Sequence, residues 1–309
     1  MLICIGEILV DIFIDGNQRL VMPGGAPFNV ACNALLYTKE VSFIGAVGKD
    51  TNGDMLINFA KEKPFTRLKI KQLEDKETSR AIVSLIDGER SFHFERDNGA
   101  DYLFSIKDMD FSLLKDDDIV HIGSLMLSYP QGVKFFHTLV KRIRECSRAK
   151  ISFDINYRDD IFPSSNEAKK TFIEALKEVD ILKFSIEEIE LLTSKSDMIE
   201  SLHEVLTPSQ VAVITLGKDG SLFYKNGNIV KVDTYPVKPI DTTGAGDAFY
   251  SYFLASLVNE REFINDQKKI IYYLSRANVV GALTTLKKGA IGSTPKEIEI
   301  DAFINEHHK

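Results

Sequence analysis

From residue 119 onward, this chain alternates short apolar strands with helical patterns, and that order restricts its fold more than any other feature. The strands fall at residues 119–122, 151–155, 181–184 and 211–216, and helical patterns fill the spaces between them. Such alternation predicts a parallel sheet with helices packed on both of its faces. The expected fold class is therefore α/β, with a central sheet that is mostly parallel.

Two segments nearer the N-terminus break this alternation. After a buried first strand, residues 11–21 read as a hairpin around Asp15-Gly16-Asn17, and residues 81–96 read as a second hairpin around Asp87-Gly88. We expect the two hairpins to form a small β-sheet lid over one edge of the main sheet. The whole chain, residues 1–309, is predicted to be a single domain that includes this lid.

A polar, glycine-rich turn at residues 241–249 runs directly into a helical stretch at 248–258. Backbone N–H groups at a helix N-terminus lack partners within the helix, and the dipole there is positive, so the turn is an anion site. Its glycines let a phosphate come close to the backbone. Asp247 would repel that phosphate unless it takes a proton from the group that attacks it. The pattern therefore indicates phosphoryl transfer to a hydroxyl, and the alternative is an ordinary N-cap aspartate.

Two motifs of the chain resemble the signatures of the ribokinase-like (PfkB) family of sugar kinases. Residues 241–249 read Asp-Thr-Thr-Gly-Ala-Gly-Asp-Ala-Phe, like the second signature, and residues 24–31 read Gly-Gly-Ala-Pro-Phe-Asn-Val-Ala, like the first. They stand in the family's order and at its spacing, and the similarity runs from Gly6 to Ala290. Within the family, the chain is most similar to bacterial fructokinases.

The resemblance implies a ribokinase-like fold and the ATP-dependent phosphorylation of a ketose, with D-fructose converted to fructose 6-phosphate. It implies that Asp247 is the general base. It also implies that Gly244, Ala245 and Gly246 form an anion hole together with the N–H of Asp247. ATP and Mg²⁺ are the implied cofactors, and K⁺ is an optional one.

The sugar is expected to lie near the carboxyl end of the first strand and under the lid. An aspartate at the position of Asp11 accepts hydrogen bonds from sugar hydroxyls in the family, and charge-assisted bonds are the stronger kind. Period-two geometry places Phe94 on one face of its strand, and Arg96 is expected to continue that face. Each of these residues also has an ordinary structural alternative. Asp11 could be a turn aspartate, the segment with Phe94 could be a half-buried strand, and Arg158 could form an ion pair with Asp159 or Asp160. The predicted sugar-binding residues are Asp11, Gly24, Gly25, Asn29, Phe94, Arg96 and Arg158.

A second set of residues is expected to bind the nucleotide. The resemblance implies that Lys183, Thr215, Gly217, Gly220, Gly246 and Asn278 contact it, although residues 215–220 alone read only as a turn. Glu188 is implied to reach Mg²⁺ through water, in a segment that carries Ser185 where ribokinases often have asparagine. A monovalent-cation site, mostly of backbone carbonyls, is implied around Asp241, Thr243, Thr284, Lys287, Gly289 and Ser293.

Composition and missing motifs exclude several other classes of protein. The net charge of −7 leaves no general basic surface for nucleic acid, and no apolar run approaches the length that spans a membrane. Three cysteines without paired spacing indicate reduced thiols in a cytoplasmic protein. Residues 45–50 lack the spacing of a P-loop, no dinucleotide fingerprint follows the first strand, and no Cys/His cluster indicates zinc. The expected partners are a sugar and ATP, with a homodimer through the exposed lid edges as an option.

Two other functions stay open from the sequence. One keeps the fold and the reaction but changes the acceptor to 2-keto-3-deoxygluconate, ribose or another ketose. The other is a sugar-sensing protein that has the kinase fold without catalysis. Intact Asp247, Gly244 and Gly246 argue against the second, because a protein without catalysis has no need of them.

Overall fold

The computed structural model describes residues 1–15, 18–86, 89–193, 195 and 197–307, and their backbone forms two β-sheets flanked by helices. The strands are β1 (Leu2–Ile5), β2 (Leu9–Asp15), β3 (Gln18–Gly24), β4 (Val41–Gly48), β5 (Arg67–Leu73), β6 (Arg80–Ile86), β7 (Glu89–Glu95), β8 (Ile119–Ile122), β9 (Lys150–Asp154), β10 (Ile181–Ser185), β11 (Val211–Thr215), β12 (Ser221–Lys225) and β13 (Asn228–Val232). The helices are α1 (Ala26–Ala34), α2 (Thr51–Lys61), α3 (Pro130–Cys146), α4 (Ser165–Leu176), α5 (Ile186–Leu192), α6 (Met198–Val205), α7 (Ala245–Asn259), α8 (Gln267–Thr284) and α9 (Glu297–His307).

The larger sheet has the order β13-β12-β11-β10-β9-β8-β1-β4-β5. Its strands from β11 to β5 are parallel, and β12 runs antiparallel to both of its neighbours. Alternate side chains of β1 enter two separate cores, with Leu2 and Cys4 in one and Ile3 and Ile5 in the other. Both faces are therefore buried under helices, which is why the central strands are apolar throughout.

The four strands predicted from residue 119 onward are confirmed, with ends that shift by one residue at most. The alternation does not predict β5, β12 or β13. Strand β5 alternates basic and apolar residues at the edge of the sheet and is half-exposed. Strands β12 and β13 form a hairpin whose turn, Asn226-Gly227, has both φ angles positive, at 52° and 77°. Asn-Gly is the dipeptide that favours such a turn, so the signal for this hairpin was present in the sequence.

The smaller sheet has the order β3-β2-β6-β7 and joins two hairpins through the parallel pair β2 and β6. Both predicted hairpins are confirmed, with slightly different ends. The predicted turn residues Gly16, Asn17, Asp87 and Gly88 lie outside the described residues. A small apolar cluster of Leu9, Ala81 and Leu125, with Phe94 and Ile161 packed against it, fills the space between the smaller sheet and the rest of the chain.

Helix α7 is buried on nearly all sides, from Ala248 to Leu257, between α1, α8 and the larger sheet. Phe253 lies at its middle, stacks parallel to Tyr250 and meets the edge of Phe263. Within the part of the chain that the structure describes, none of the helices combines the length and the apolar content that crossing a membrane requires.

Phe253→Ala should lower the free energy of unfolding by about 3–5 kcal/mol, because it leaves a cavity in a rigid core. Ile298→Ala, at a side chain on α9 that is 75% exposed, is the control. It should change stability by no more than about 0.5 kcal/mol. Urea unfolding of both variants measures the difference, and equal effects would contradict the placement of α7 in the core.

Candidate active site

The site is built at the N-terminus of α7, where Gly244 is the residue before the first helical turn. Its φ of 75° lies in the left-handed region that glycine adopts without strain. A Cβ atom at this position would lie only 2.3 Å from the Cβ of Ala290. Both backbone conformation and space therefore require glycine here.

The first turn of α7 carries the backbone N–H groups of the predicted anion hole. The N–H of Ala245 donates to the carbonyl of Thr242 at 3.2 Å and closes the turn. The N–H groups of Gly246 and Asp247 follow it, at a point where no helical carbonyl precedes them to accept. The anion hole that this helix end offers therefore depends mainly on Gly246 and Asp247, with Gly244 and Ala245 shaping the turn.

Asp247 lies on the first turn of α7 and is held by a hydrogen bond. Asn29 of α1 donates through Nδ2 to Oδ2 of Asp247 at 2.8 Å. Removal from water raises the pKa of the Asp247 carboxyl to about 6, and the bond from Asn29 opposes that rise. A carboxylate with a pKa near 6 is ionised at neutral pH and can still accept a proton.

A polar cavity of about 820 Å³ opens above Asp247, between the larger and the smaller sheet. It is lined by five of the seven predicted sugar-binding residues, namely Asp11, Gly25, Asn29, Phe94 and Arg158. Burial raises the pKa of Asp11 to about 7, and the neighbouring charge of Asp247 adds to the rise. Gly24 does not line the cavity. A Cβ there would lie 2.4 Å from a carboxylate oxygen of Asp11, so Gly24 makes room for that side chain.

The structure places Arg96 away from the cavity in which it was predicted to cover the sugar. Arg96 is 3% exposed and lines neither cavity of the site. Its guanidinium bonds to Asp101 at 2.6 Å, to Ser128 and to the carbonyl of Leu125. Strand β7 ends at Glu95, so the alternation of side chains that points Phe94 toward the cavity no longer applies one residue beyond that end.

A second cavity of about 690 Å³ lies on the other side of the α7 N-terminus. Thr215, Gly217, Gly220 and Asn278, which were predicted to contact the nucleotide, line it. The Asn278 amide donates to the carbonyls of Val232 and Asp233, so this side chain fixes the cavity wall. The two cavities share Thr242 and Gly246 in their linings.

Lys183 lies where the two cavities meet, although its side chain lines only the polar one. Its Nζ is 2.9 Å from each carboxylate oxygen of Asp154, and both side chains are buried. Burial alone would lower the pKa of Lys183, but the carboxylates of Asp154, Glu188 and Asp247 together outweigh that effect and hold the pKa above its ordinary value. A Cβ added to Gly246 would lie 3.5 Å from this Nζ, so a fixed positive charge stands beside the anion hole.

Glu188 has a structural role that differs from the predicted one. Its two carboxylate oxygens accept the N–H groups of Ser185, at 2.6 Å, and Tyr157, at 2.8 Å. It lines neither cavity and forms a capping box at the start of α5. Because its oxygens are committed to the backbone, the geometry does not favour the expected contact with Mg²⁺. Among the described residues, no group of three or more His, Cys, Asp or Glu side chains could hold a metal ion.

The segments predicted to bind a monovalent cation are only partly brought together. Asp241 accepts the N–H groups of Thr243, at 2.7 Å, and Gly289, at 3.0 Å, and the hydroxyl of Ser293 donates to the carbonyl of Gly289. The hydroxyl of Thr284 instead bonds within α8, and the side chain of Lys287 is exposed and lies 3.9 Å from Glu299. Only the backbone of these last two residues is left for such a site.

Several residues that line the polar cavity were not among the predicted sugar-binding residues. Asn156 follows β9 with a φ of 39°, a left-handed conformation that asparagine tolerates better than most residues. Tyr157, Asp159 and Asp160 come next along the chain and also line the cavity. They follow a parallel strand, at the edge of the sheet where ligands bind, and this position was a signal in the sequence that could have identified them.

Residues 2–297 match the sequence profile of the pfkB family of carbohydrate kinases. The chain belongs to this family. It is therefore a sugar kinase, and the predicted ribokinase-like fold is confirmed by solved structures of the same fold. Fructokinase-1 of Zea mays is 31% identical over 318 residues, which cover 99% of this sugar kinase and 98% of the plant protein.

Two solved bacterial fructokinases superpose on nearly the whole sugar kinase. The Xylella fastidiosa enzyme with bound ATP has a TM-score of 0.88 and 28% identity, and the match covers 100% of this chain and 99% of that one. The Vibrio cholerae enzyme with fructose, ADP and a calcium ion has a TM-score of 0.88 and 29% identity, and the match covers 98% of each chain. A double mutant of the Vibrio protein holds a potassium ion with fructose and ADP.

Arg96→Ala should lower the free energy of unfolding by about 3–5 kcal/mol, because it leaves Asp101 buried without its partner. Arg80→Ala is the control, since Arg80 forms ion pairs with Glu77 and Glu95 but is 34% exposed. Its loss should cost no more than about 1 kcal/mol. Denaturant unfolding of the two variants measures this. A stable Arg96→Ala protein with a raised sugar KM would restore the original prediction.

Proposed function

We propose that this sugar kinase transfers the γ-phosphate of ATP to the 6-hydroxyl of D-fructose. The observation that carries the proposal is the meeting of two cavities at the first turn of α7. One cavity is polar and has Asp247 at its base, and the other has a glycine-containing loop and apolar walls. A sugar in the first and a nucleotide in the second would meet at Gly246.

The sugar hydroxyls would be held by groups that are already fixed. Oδ1 of Asn29 is buried, and among the described residues it has no hydrogen-bond partner, so it is placed to accept from a hydroxyl. Asp11 offers a second acceptor on the opposite side of the cavity, on β2. The Phe94 ring supplies an apolar cover.

The transfer then follows from the placement of Asp247. Its carboxylate accepts the proton as the O–H bond of the 6-hydroxyl breaks. The freed oxygen forms a bond to the γ-phosphorus, and the bond from that phosphorus to the bridging oxygen breaks to release ADP. The N–H groups of Gly246 and Asp247, with the nearby Lys183 ammonium, stabilise the charge on the transferring group. Positioning and electrostatics supply most of the acceleration in this type of reaction.

A neutral ketose fits the polar cavity better than an acidic sugar does. Four carboxylates, of Asp11, Asp159, Asp160 and Asp247, line it. The cations there are Arg158 and Lys183, and Lys183 is already paired with Asp154. A sugar acid such as 2-keto-3-deoxygluconate would bring a further negative charge into this field. The fructose bound in the Vibrio fructokinase supports the same choice.

ATP is proposed as the phosphate donor, in line with the ATP bound by the Xylella fructokinase. Mg²⁺ is proposed as its companion, held mainly by the phosphates, which is the usual way that kinases bind it. Its chemistry there would be the neutralisation of phosphate charge. K⁺ is proposed near Asp241 and Gly289, as a structural ion beneath the anion hole.

The smaller sheet is proposed to act as a lid that shields the reaction from water. Its outer strand β3 is an open edge with exposed Leu20 and Val21, and we propose pairing of this edge in a homodimer as one option.

A cytoplasmic location is proposed from the free thiols of Cys4, Cys32 and Cys146.

Asp247→Asn should lower kcat by at least about 10²-fold, because the amide cannot take the proton. The sugar Kd should stay within about twofold, since the substitution preserves shape and removes only the base. Asp117→Asn, at a carboxylate that is 84% exposed, is the matched control. ATP consumption with a panel of sugars measures the effect and identifies the preferred acceptor. Wild-type turnover in Asp247→Asn would remove the assigned base.

The value of kcat/KM for the sugar should fall about tenfold per pH unit below a midpoint near pH 6, because only the ionised form of Asp247 is a base. The hydrogen bond from Asn29 lowers the pKa of Asp247. Because Asn29→Ala removes that bond, it should move the midpoint to higher pH. Asp11 also titrates in this range, so the profile of Asp11→Asn isolates Asp247. A flat profile from about pH 5 to 8 would contradict the assignment.

A further inference from the structure

The edge strand β7 of the smaller sheet is bound through Asp160 to the segment that follows β9 of the larger sheet, and its His93 side chain also lies 3.8 Å from a carboxylate oxygen of Asp160. The N–H of Phe94 on β7 donates to Oδ2 of Asp160 at 2.9 Å. Asp160 lies in the short 3-10 helix Asp159–Ile161 that follows β9, sixty-six positions further along the chain. Because β7 pairs only with β6 in its sheet, this N–H lies on the open edge of the strand.

Apolar contacts lie directly beside that hydrogen bond. Phe94 and Ile161, the residue after Asp160, both pack against the cluster of Leu9, Ala81 and Leu125. Phe94 and Asp160 also both line the polar cavity. The backbone of Phe94 is thus fixed from one side by a carboxylate, while the cluster packs against its ring.

We propose that Asp160 is a positioning residue that holds the Phe94 ring over the sugar. It acts through the backbone of the smaller sheet and not by binding the sugar. A carboxylate is suited to this task because it accepts a backbone N–H more strongly than a neutral group does. The proposal rests on the proposed function, in that the polar cavity is taken to hold the sugar.

The residue has a second reading, since a carboxylate that lines the cavity could bind a sugar hydroxyl directly. A double-mutant cycle with Phe94 separates the two readings. If Asp160 acts only through the Phe94 ring, then Asp160→Ala has little further effect once that ring is removed. If it binds the sugar itself, its removal costs the same with or without the ring.

The first measurement is amide hydrogen exchange at Phe94 in the protein without sugar. Asp160→Ala should speed this exchange by about tenfold or more, because the N–H loses its acceptor. Asp160→Asn keeps an oxygen at the same place and should restore most of the protection. The amide of Phe153 on the central strand β9 is the control for global unfolding and should not change. Unchanged exchange at Phe94 in Asp160→Ala would overturn the proposal.

The second measurement is steady-state kinetics with D-fructose for Asp160→Ala, Asp160→Asn, Phe94→Ala and the double variant. Asp160→Ala should raise the sugar KM by about 3- to 10-fold, which is the range for one hydrogen bond, with kcat and the ATP KM within about twofold. The double variant should match Phe94→Ala. Fully additive effects would overturn the positioning role. If no sugar is phosphorylated, the proposed function fails, and the exchange at Phe94 still decides the role of Asp160.

Discussion

The left-handed turn at Gly244 is the constraint on which the rest of the site depends. Its close approach to Ala290 fixes the direction in which α7 starts, and with it the N–H groups of Gly246 and Asp247. Ala290 is itself held by Asn33 of α1, whose amide donates to its carbonyl at 3.1 Å. Asp241 holds the neighbouring Gly289. The first turn of α7 is therefore positioned by buried contacts from three separate parts of the chain.

The Asp247 carboxylate would repel an anion bound at the predicted anion hole. Burial reduces this conflict because it raises the pKa of Asp247. Removal from water raises the pKa of Asp247 to about 6, so the carboxylate is still ionised at neutral pH but holds a proton more readily than an exposed one. The helix dipole and the Lys183 ammonium supply positive potential at the same place. Lys183 remains charged in the interior because Asp154 is bound to it through both oxygens. Loss of Asp154 would therefore weaken the proposed phosphate site indirectly, through its effect on Lys183.

The sequence predicts the fold well because several separate local patterns agree with one another. Alternating elements, two period-two hairpins and a glycine-rich turn all indicate one architecture, and residues separated by a few positions determine each of them. The positions of two predicted site residues also have local causes. Ser185 and Glu188 have the spacing of a capping box, which identifies Glu188 as a helix cap. Arg96 lies one position past the end of β7, where the strand's alternation stops. The roles of the site residues stay predictions until they are measured.

Long-range pairs are different, because no pattern in one sequence relates Phe94 to Asp160 or Asn29 to Asp247. The contact between Asn29 and Asp247 arises from the way β3 continues through Gly25 into α1. Strand β2 carries Asp11, β3 returns to the larger sheet, and four residues after Gly25 the side chain of Asn29 reaches Asp247. A displacement of the smaller sheet must therefore act on the helix that orients the base. The chain that carries Asp11 on the proposed lid continues directly into α1. The position of that lid is therefore linked to the hydrogen bond between Asn29 and Asp247, which lowers the pKa of Asp247.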